Sequence, residues 1–369
     1  MFTITFSTTP QQFLHSLHLA ETGNPDILVR VETSPCVAPR NFATEPHLVW
    51  NSDDGYTIEL SRPTQANHVR LVFRDAVDFG TITARYQQRL PNEAILKKVA
   101  SQRLIFVGCA RNCAEKLVAT INVLKQIGTR FSDYRIVVFE NDSTDQTLNI
   151  LNEAAGRDLR LMVLTDKNVD AKLPERTERL AHARNTLTRF VLDHYGNFDY
   201  LSWADMDGIV DNTFSIEGFL TNFGISEVWD AVFPVTNSFY YDIWALRHKT
   251  LCADDYHEAI KNCDASLGNE LIVTYHAFLR QTRLQNLPNW LRVDSAFGGM
   301  AIYKMETVGQ ASYLGFEHGN PICEHVPFNL KLADLGKRLY INPEFIVSYP
   351  EHKARDSAIN KMFFDQDPK

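Results

Sequence analysis

The residues best suited to chemistry are Asp205 and Asp207, which flank Met206 and precede Gly208 directly after the apolar run Phe198–Trp203. Two carboxylates at i and i+2 are common in solvated turns, so the pair alone says little. At the mouth of a strand it says more, because hard oxygen ligands on a tight turn suit Mn2+ or Mg2+. A cation held there would bridge the protein to a diphosphate and stabilise charge on that group as it departs. Asp207 is the expected metal ligand, with help from Asp205, which can also reach a ribose hydroxyl.

A second polar group, Glu140-Asn141-Asp142-Ser143-Thr144-Asp145-Gln146-Thr147, closes the run that begins at Tyr134. Ser143 and Gln146 have the S-x-x-Q spacing of a capping box for a helix carrying Leu148 and Leu151. Glu140, Asn141 and Asp142 stand at a strand's mouth, where a carboxylate or amide can hydrogen-bond a base or ribose.

Such groups need elements to hold them. Continuous apolar runs predict strands over Arg103–Cys109, Tyr134–Glu140, Leu159–Thr165, Phe198–Trp203 and Asp230–Pro234. Leu117, Ile121, Leu124 and Ile127 give Ala114–Ile127 a helical stripe, and Pro174–Tyr195 reads as a long amphipathic helix whose buried stripe includes Leu180, Ala183, Leu187, Phe190 and Val191. Alternating strands and helices with polar residues after the strands describe an α/β sheet that binds its ligand at the carboxyl edge.

The first 90 residues differ, alternating short apolar runs with turns, and predict a small β-sandwich or sheet. There His68–Phe73 and Thr81–Tyr86 are expected as neighbouring strands, joined by the turn around Asp75–Gly80. Residues 91–102 read as a linker helix with Asn92 available as N-cap, and residues 103–369 as the α/β domain.

With 369 residues and a formal net charge of −8, the chain lacks the basic surface that nucleic acid requires. Net charge does not describe a single cleft, which leaves room for a basic patch facing a diphosphate, or for peripheral association with an anionic membrane. The six cysteines are scattered, which fits free thiols in a reducing compartment, and Cys109 with Cys113 lacks the further close pair that a zinc site needs. The N-terminus has neither a basic stretch nor an apolar core of secretory type, and no apolar run approaches a membrane span, so a cytoplasmic location is expected.

Taken in order, GCARNCAEKL, FENDSTDQT, LAHARN and Asp205-Met206-Asp207 resemble the nucleotide-sugar half of GT-A glycosyltransferases. YYDIWALR, VDSAFGGMAIY, CEHVPFN and LYINPEFIVSY are similar to segments of the fungal capsule-associated mannosyltransferases, and the resemblance covers about residues 103 to 352. It implies a GT-A fold in which Cys109, Ala110 and Arg111, with Asn112, meet the base and Glu140, beside Asp142, contacts base or ribose. It places Arg184 and Asn185 near the diphosphate and Gly298 and Gly299 between donor and acceptor, where a missing Cβ allows close approach. Glu324 and His325 resemble the acidic motif that holds the acceptor or acts as base, and His352 the C-terminal metal-binding histidine.

The implied partners are a GDP- or UDP-sugar and a saccharide or lipid-linked saccharide acceptor, in the assembly of capsule, lipopolysaccharide or a related glycan. Each residue also has a plainer reading. Arg184 could be a surface charge, Gly298-Gly299 a strand bulge, Glu324 a carboxylate favoured by a helix start, and His352 merely exposed. An inactive glycan-binding or scaffold protein on the same fold is the competing function, and the intact Asp205 and Asp207 speak against it.

Overall fold

Alternating apolar residues in the first ninety positions build two antiparallel four-stranded sheets. In chain order the strands are Phe2–Ser7 (β1), Phe13–Ala20 (β2), Leu28–Ser34 (β3), Ala43–Glu45 (β4), His47–Ser52 (β5), Gly55–Gln65 (β6), His68–Phe73 (β7) and Thr81–Tyr86 (β8). One sheet has the order β1-β7-β3-β4, the other β5-β6-β2-β8. Leu17 and Leu19 of β2, Val31 of β3, Ile58 and Leu60 of β6, and Val69, Leu71 and Phe73 of β7 fill one core drawn from both sheets, as the period of two requires.

The expected pairing of β7 with β8 is not made. Both edges of β7 are taken by β1 and β3, so β8 joins the other sheet beside β2.

The computed structural model describes residues 2–7, 13–20, 28–34, 42–45, 47–52, 55–65, 68–74, 81–86, 90, 92–224, 229–287 and 290–350. The chain forms two compact units, Met1–Leu90 with Ile225–Glu227, and Pro91–Gly224 with Val228–Lys369. The helix Asn92–Val99 (α1) packs within the second unit, burying Ile95 and Val99 and donating from Lys98 Nζ to the Phe223 carbonyl at 3.1 Å. Among the described residues no helix is long and apolar enough to cross a membrane.

The second unit is built on an eight-stranded sheet. Its strands are Arg103–Ala110 (β9), Asp133–Asn141 (β10), Leu161–Asp166 (β11), Tyr200–Ala204 (β12), Ala231–Thr236 (β13), Leu291–Val293 (β14) and Met300–Lys304 (β15), with Leu339–Val347 coming last in the chain. The order is β11-β10-β9-β12-β15-β13, then Leu339–Val347, then β14. β9, β10, β11 and β12 are mutually parallel, whereas β15 runs antiparallel to both β12 and β13. The continuous apolar runs follow from this layout, since strands buried on both faces have no polar side to alternate with.

Helices Ala114–Gly128 (α2), Thr147–Arg157 (α3), Val169–Lys172 (α4) and Arg176–Tyr195 (α5) connect the parallel strands. The chain runs outward from β9 through β10 to β11, then returns to lay β12 on the other side of β9. That reversal is where open α/β sheets carry a ligand.

The expected capping box is replaced by a different device. The helix starts at Thr147 and its N-cap, Gln146, makes no side-chain cap bond. Instead Asp145 accepts from the N–H of Thr147 at 2.9 Å and, with its other oxygen, from the N–H of Ala114 at 3.1 Å. One carboxylate thus serves the starts of both α2 and α3. Ser143 Oγ takes the Asn112 N–H at 3.1 Å, the Asn112 side chain takes the Thr144 N–H at 2.8 Å, and Thr147 Oγ1 takes the Cys113 N–H at 2.9 Å.

Gly108 in β9 faces the turn that follows β12. A Cβ there would lie 2.6 Å from the Ala204 carbonyl oxygen and 2.7 Å from Met206 Sδ, so only glycine lets the two segments meet. Gly108→Ala is expected to cost about 1–3 kcal/mol through overpacking. Denaturant unfolding of the variant checks this, and wild-type stability would show that the turn yields without cost.

Candidate active site

The site assembles at the reversal between β9 and β12. Met206 is buried against Gly108, so the alternation of the segment sends Asp205 and Asp207 the other way, into a cleft of about 320 Å3. The Asp205 N–H bonds the Gly299 carbonyl at 2.8 Å, and Gly208 ends the turn with φ +99°, a conformation suited to glycine. Asp207 is exposed and its carboxylate has no partner among the described residues. Cys109, Ala110 and Arg111, at the end of β9, line the same cleft. Burial pushes the Cys109 thiol up to about 12, so it stays protonated and serves as wall.

Arg184 on α5 lies on the buried face of its helix, not on the surface. Its Nε donates to Glu324 Oε1 at 2.9 Å, and its guanidinium also stands 3.8 Å from Asp205 Oδ1. Glu324 does precede the helix His325–Asp334, yet its side chain makes no cap bond and turns to Arg184 instead.

His325 is 2% exposed, stacks on Phe297 with centroids 3.7 Å apart, and has no hydrogen bond on either ring nitrogen. Burial, reinforced by Arg184, holds its imidazole well below the usual histidine value, so it is neutral. A neutral, enclosed ring is suited to packing behind Glu324 and poorly suited to carrying a proton.

The remaining expected residues sit around this centre. Asn185 grips the backbone of Tyr313 with both ends of its amide, each at 2.9 Å. Gly298 (φ +71°) donates its N–H to Asp242 Oδ2 at 2.8 Å, and Gly299 (φ +92°) packs so closely that a Cβ would fall 2.5 Å from Ile209. Their shared role is to shape the segment, while the adjoining Phe297 lines the cleft.

Glu140 is buried and accepts the Ser143 N–H at 2.9 Å, leaving Asn141 as the polar residue of β10 that reaches the cleft. Asp142, at φ +50°, accepts from the N–H groups of Asn168, Val169 and Asp170 at 2.7, 2.8 and 3.3 Å. It is a remote cap for α4. His352 lies outside the described residues.

Arg176 and Arg179, which motif reading did not single out, also line the cleft, as do Tyr241, Asp242 and Trp244, which belong to the segment YYDIWALR but were given no role in the sequence reading. The signal for the first two was present, since arginines at i and i+3 opening a long helix share a face. Arg179 Nε pairs with Asp170 at 3.1 Å and Arg111 grips the same carboxylate with both guanidinium nitrogens, whereas Arg176 has no partner among the described residues. Trp244 is oriented by its indole N–H, donated to Asp255 Oδ2 at 3.1 Å.

The cleft therefore opposes arginines to carboxylates across a narrow space. Among the described residues no three side chains gather as a metal cage. Asp205 and Asp207 nonetheless offer the hard oxygen donors of a site in which one or two carboxylates act together with substrate phosphates.

The Asp142 cap carries a pH dependence. Burial works against its charge, but the N–H groups of Asn168, Asp170 and Val169 hold the carboxyl below the usual aspartate value. A depressed folded value gives stability that is present above the unfolded value, roughly 3.9, and is lost as pH falls through the folded one. Asp142→Ala should lose about 0.5–2 kcal/mol at neutral pH, as other cap removals do. The gap between wild type and variant should shrink below about pH 4. Urea unfolding at pH 7 and pH 3 measures both, and a gap that stays constant with pH would reject the assignment.

No curated protein sequence matches the chain. Among solved structures, a mannosyltransferase from Pyrobaculum calidifontis in complex with GDP-Man and Mn2+ is similar at 13% identity, covering 73% of this chain and 66% of its own, with a TM-score of 0.41. S. aureus TarS 1–349 is similar at 13% identity, over 66% of this chain and 59% of its own, with a TM-score of 0.37. Its complex with UDP matches at the same identity and TM-score, over 67% and 60%. The chain spans less than two thirds of the length of each. Residues 106–282, which hold the ends of β9, β10 and β12 and the whole of α5, match the family model described as glycosyl transferase family 2.

Proposed function

We propose that the chain is a metal-dependent glycosyltransferase that moves a sugar, with mannose the leading candidate, from a GDP- or UDP-linked donor to a saccharide hydroxyl. The acceptor would be free or lipid-linked, of the kind assembled into surface polysaccharide. The observation that carries this reading is the meeting of Asp205, Asp207 and Glu324 in one cleft at the carboxyl ends of β9 and β12.

In the reaction the acceptor oxygen bonds the anomeric carbon, the bond from that carbon to the diphosphate oxygen breaks, and the acceptor proton must leave. A Mn2+ or Mg2+ ion, when bound, would neutralise charge on the departing diphosphate. Asp207 would hold that ion, with Asp205 beside it. Arg176, which lines the cleft and has no partner among the described residues, would meet phosphate oxygens.

Glu324 is the group for the proton. Its contacts, to Arg184 and the weak approach of His325, both fall on Oε1, and Oε2 has no hydrogen-bond partner among the described residues. If configuration is inverted, Oε2 takes the acceptor proton. If it is retained, the same oxygen orients the acceptor.

Two variants separate the roles. Asp207→Ala should keep its circular dichroism and lose Mn2+-dependent binding of GDP or UDP in calorimetry. Glu324→Gln should keep that binding while turnover falls by about 10²–10⁴-fold. Undiminished metal-dependent binding in the first would remove the cation from this turn, and normal turnover in the second would remove Glu324 from the chemistry.

A further inference from the structure

Arg184 stands in a sequence position that suggests a phosphate contact, but its surroundings point elsewhere. The residue is 4% exposed. Its guanidinium carbon sits 4.8 Å from the ring centroids of both Trp203 and Phe297 and 5.9 Å from that of Tyr313. Aromatic walls stabilise a cation by the charge distribution of their faces, and they also confine it. Its charged neighbours are Glu324 Oε1 at 2.9 Å and Asp205 Oδ1 at 3.8 Å. An arginine that turned away from Glu324 would strand that carboxylate, 4% exposed, in a poorly solvated place, so the bond to Oε1 is the contact that fixes the side chain.

We propose that Arg184 is a positioning residue for sugar transfer: by holding Oε1 of Glu324 it presents Oε2 to the acceptor, and by facing Asp205 it sets the two sides of the cleft from a single rigid plane. The inference rests on the reading of Glu324 as the group that receives or orients the acceptor hydroxyl. A lysine would keep the charge but not the function, because an ammonium lacks the flat fork that fixes Nε on one oxygen while another nitrogen faces Asp205.

The test compares Arg184→Lys, Arg184→Gln, Glu324→Gln and the double variant Arg184→Gln/Glu324→Gln, using the full chain. Turnover is read with a nucleotide sugar, GDP and UDP affinity in Mn2+ by calorimetry, and melting temperature without any ligand. Arg184→Lys should bind the nucleoside diphosphate nearly as wild type does while its turnover falls by about 10²-fold or more. The double variant should turn over no more slowly than the slower single variant. It should also melt above Arg184→Gln, in which Glu324 is left without its cation.

Nucleotide affinity that falls in step with turnover would make Arg184 a phosphate contact and overturn the proposal. So would turnover losses that multiply in the double variant. Normal turnover in Glu324→Gln alone would defeat the underlying reading of Glu324. The Arg184 link is still judged in that case, because a double variant that melts no higher than Arg184→Gln rejects it without reference to activity.

Discussion

The reversal of strand order at β9 is the constraint on which the site depends. Because β10 and β12 lie on opposite sides of β9, the loops that leave these parallel strands diverge, and a crevice opens at their carboxyl ends. Everything chemical about the second unit is arranged around that crevice. Gly108 lets the β12 turn close down on β9, and Met206 anchors that turn from beneath. The two aspartates are then displayed by simple alternation.

Within the crevice a buried arginine is the largest electrostatic commitment. Taking a guanidinium out of water costs several kcal/mol unless opposite charge and hydrogen bonds replace the solvent. Here burial disfavours the charge, and the carboxylates of Glu324 and Asp205 more than compensate, so Arg184 keeps its proton more firmly than a free arginine does. The same cation helps keep His325 neutral, so the centre contains one fixed positive charge and not two.

Much of the α/β unit was legible because strands buried on both faces write themselves as apolar runs. β9 and β12 lie within about two residues of where those runs end. Pairing in the β-rich part was less legible: alternation reveals which face of β7 is buried but not which strand lies beside it. Helical periodicity counts arginine as polar, and so left Arg184 off a stripe to which it belongs. At Glu140, Asp142 and Asn185, residue type suggested ligand contacts, whereas all three hold main-chain groups, with the Asn141 amide as a further, longer partner of Asp142. A sequence does not state how many backbone donors and acceptors need a partner nearby. Asp242 and Trp244 follow β13 in irregular chain, where no periodicity draws attention to them.

The sharing of Asp145 between α2 and α3 bears on how a ligand would be received. Together with the bonds joining Asn112 to Ser143 and Thr144, and Cys113 to Thr147, it fuses the exits of β9 and β10 into one stiff ledge. A rigid receiving surface spares an incoming molecule the entropy of ordering it, so affinity gained on that side is gained without rearrangement. Any closing movement on binding must therefore come from the opposite bank of the crevice, beyond the reach of this shared anchor, and the two banks will differ in how much they give.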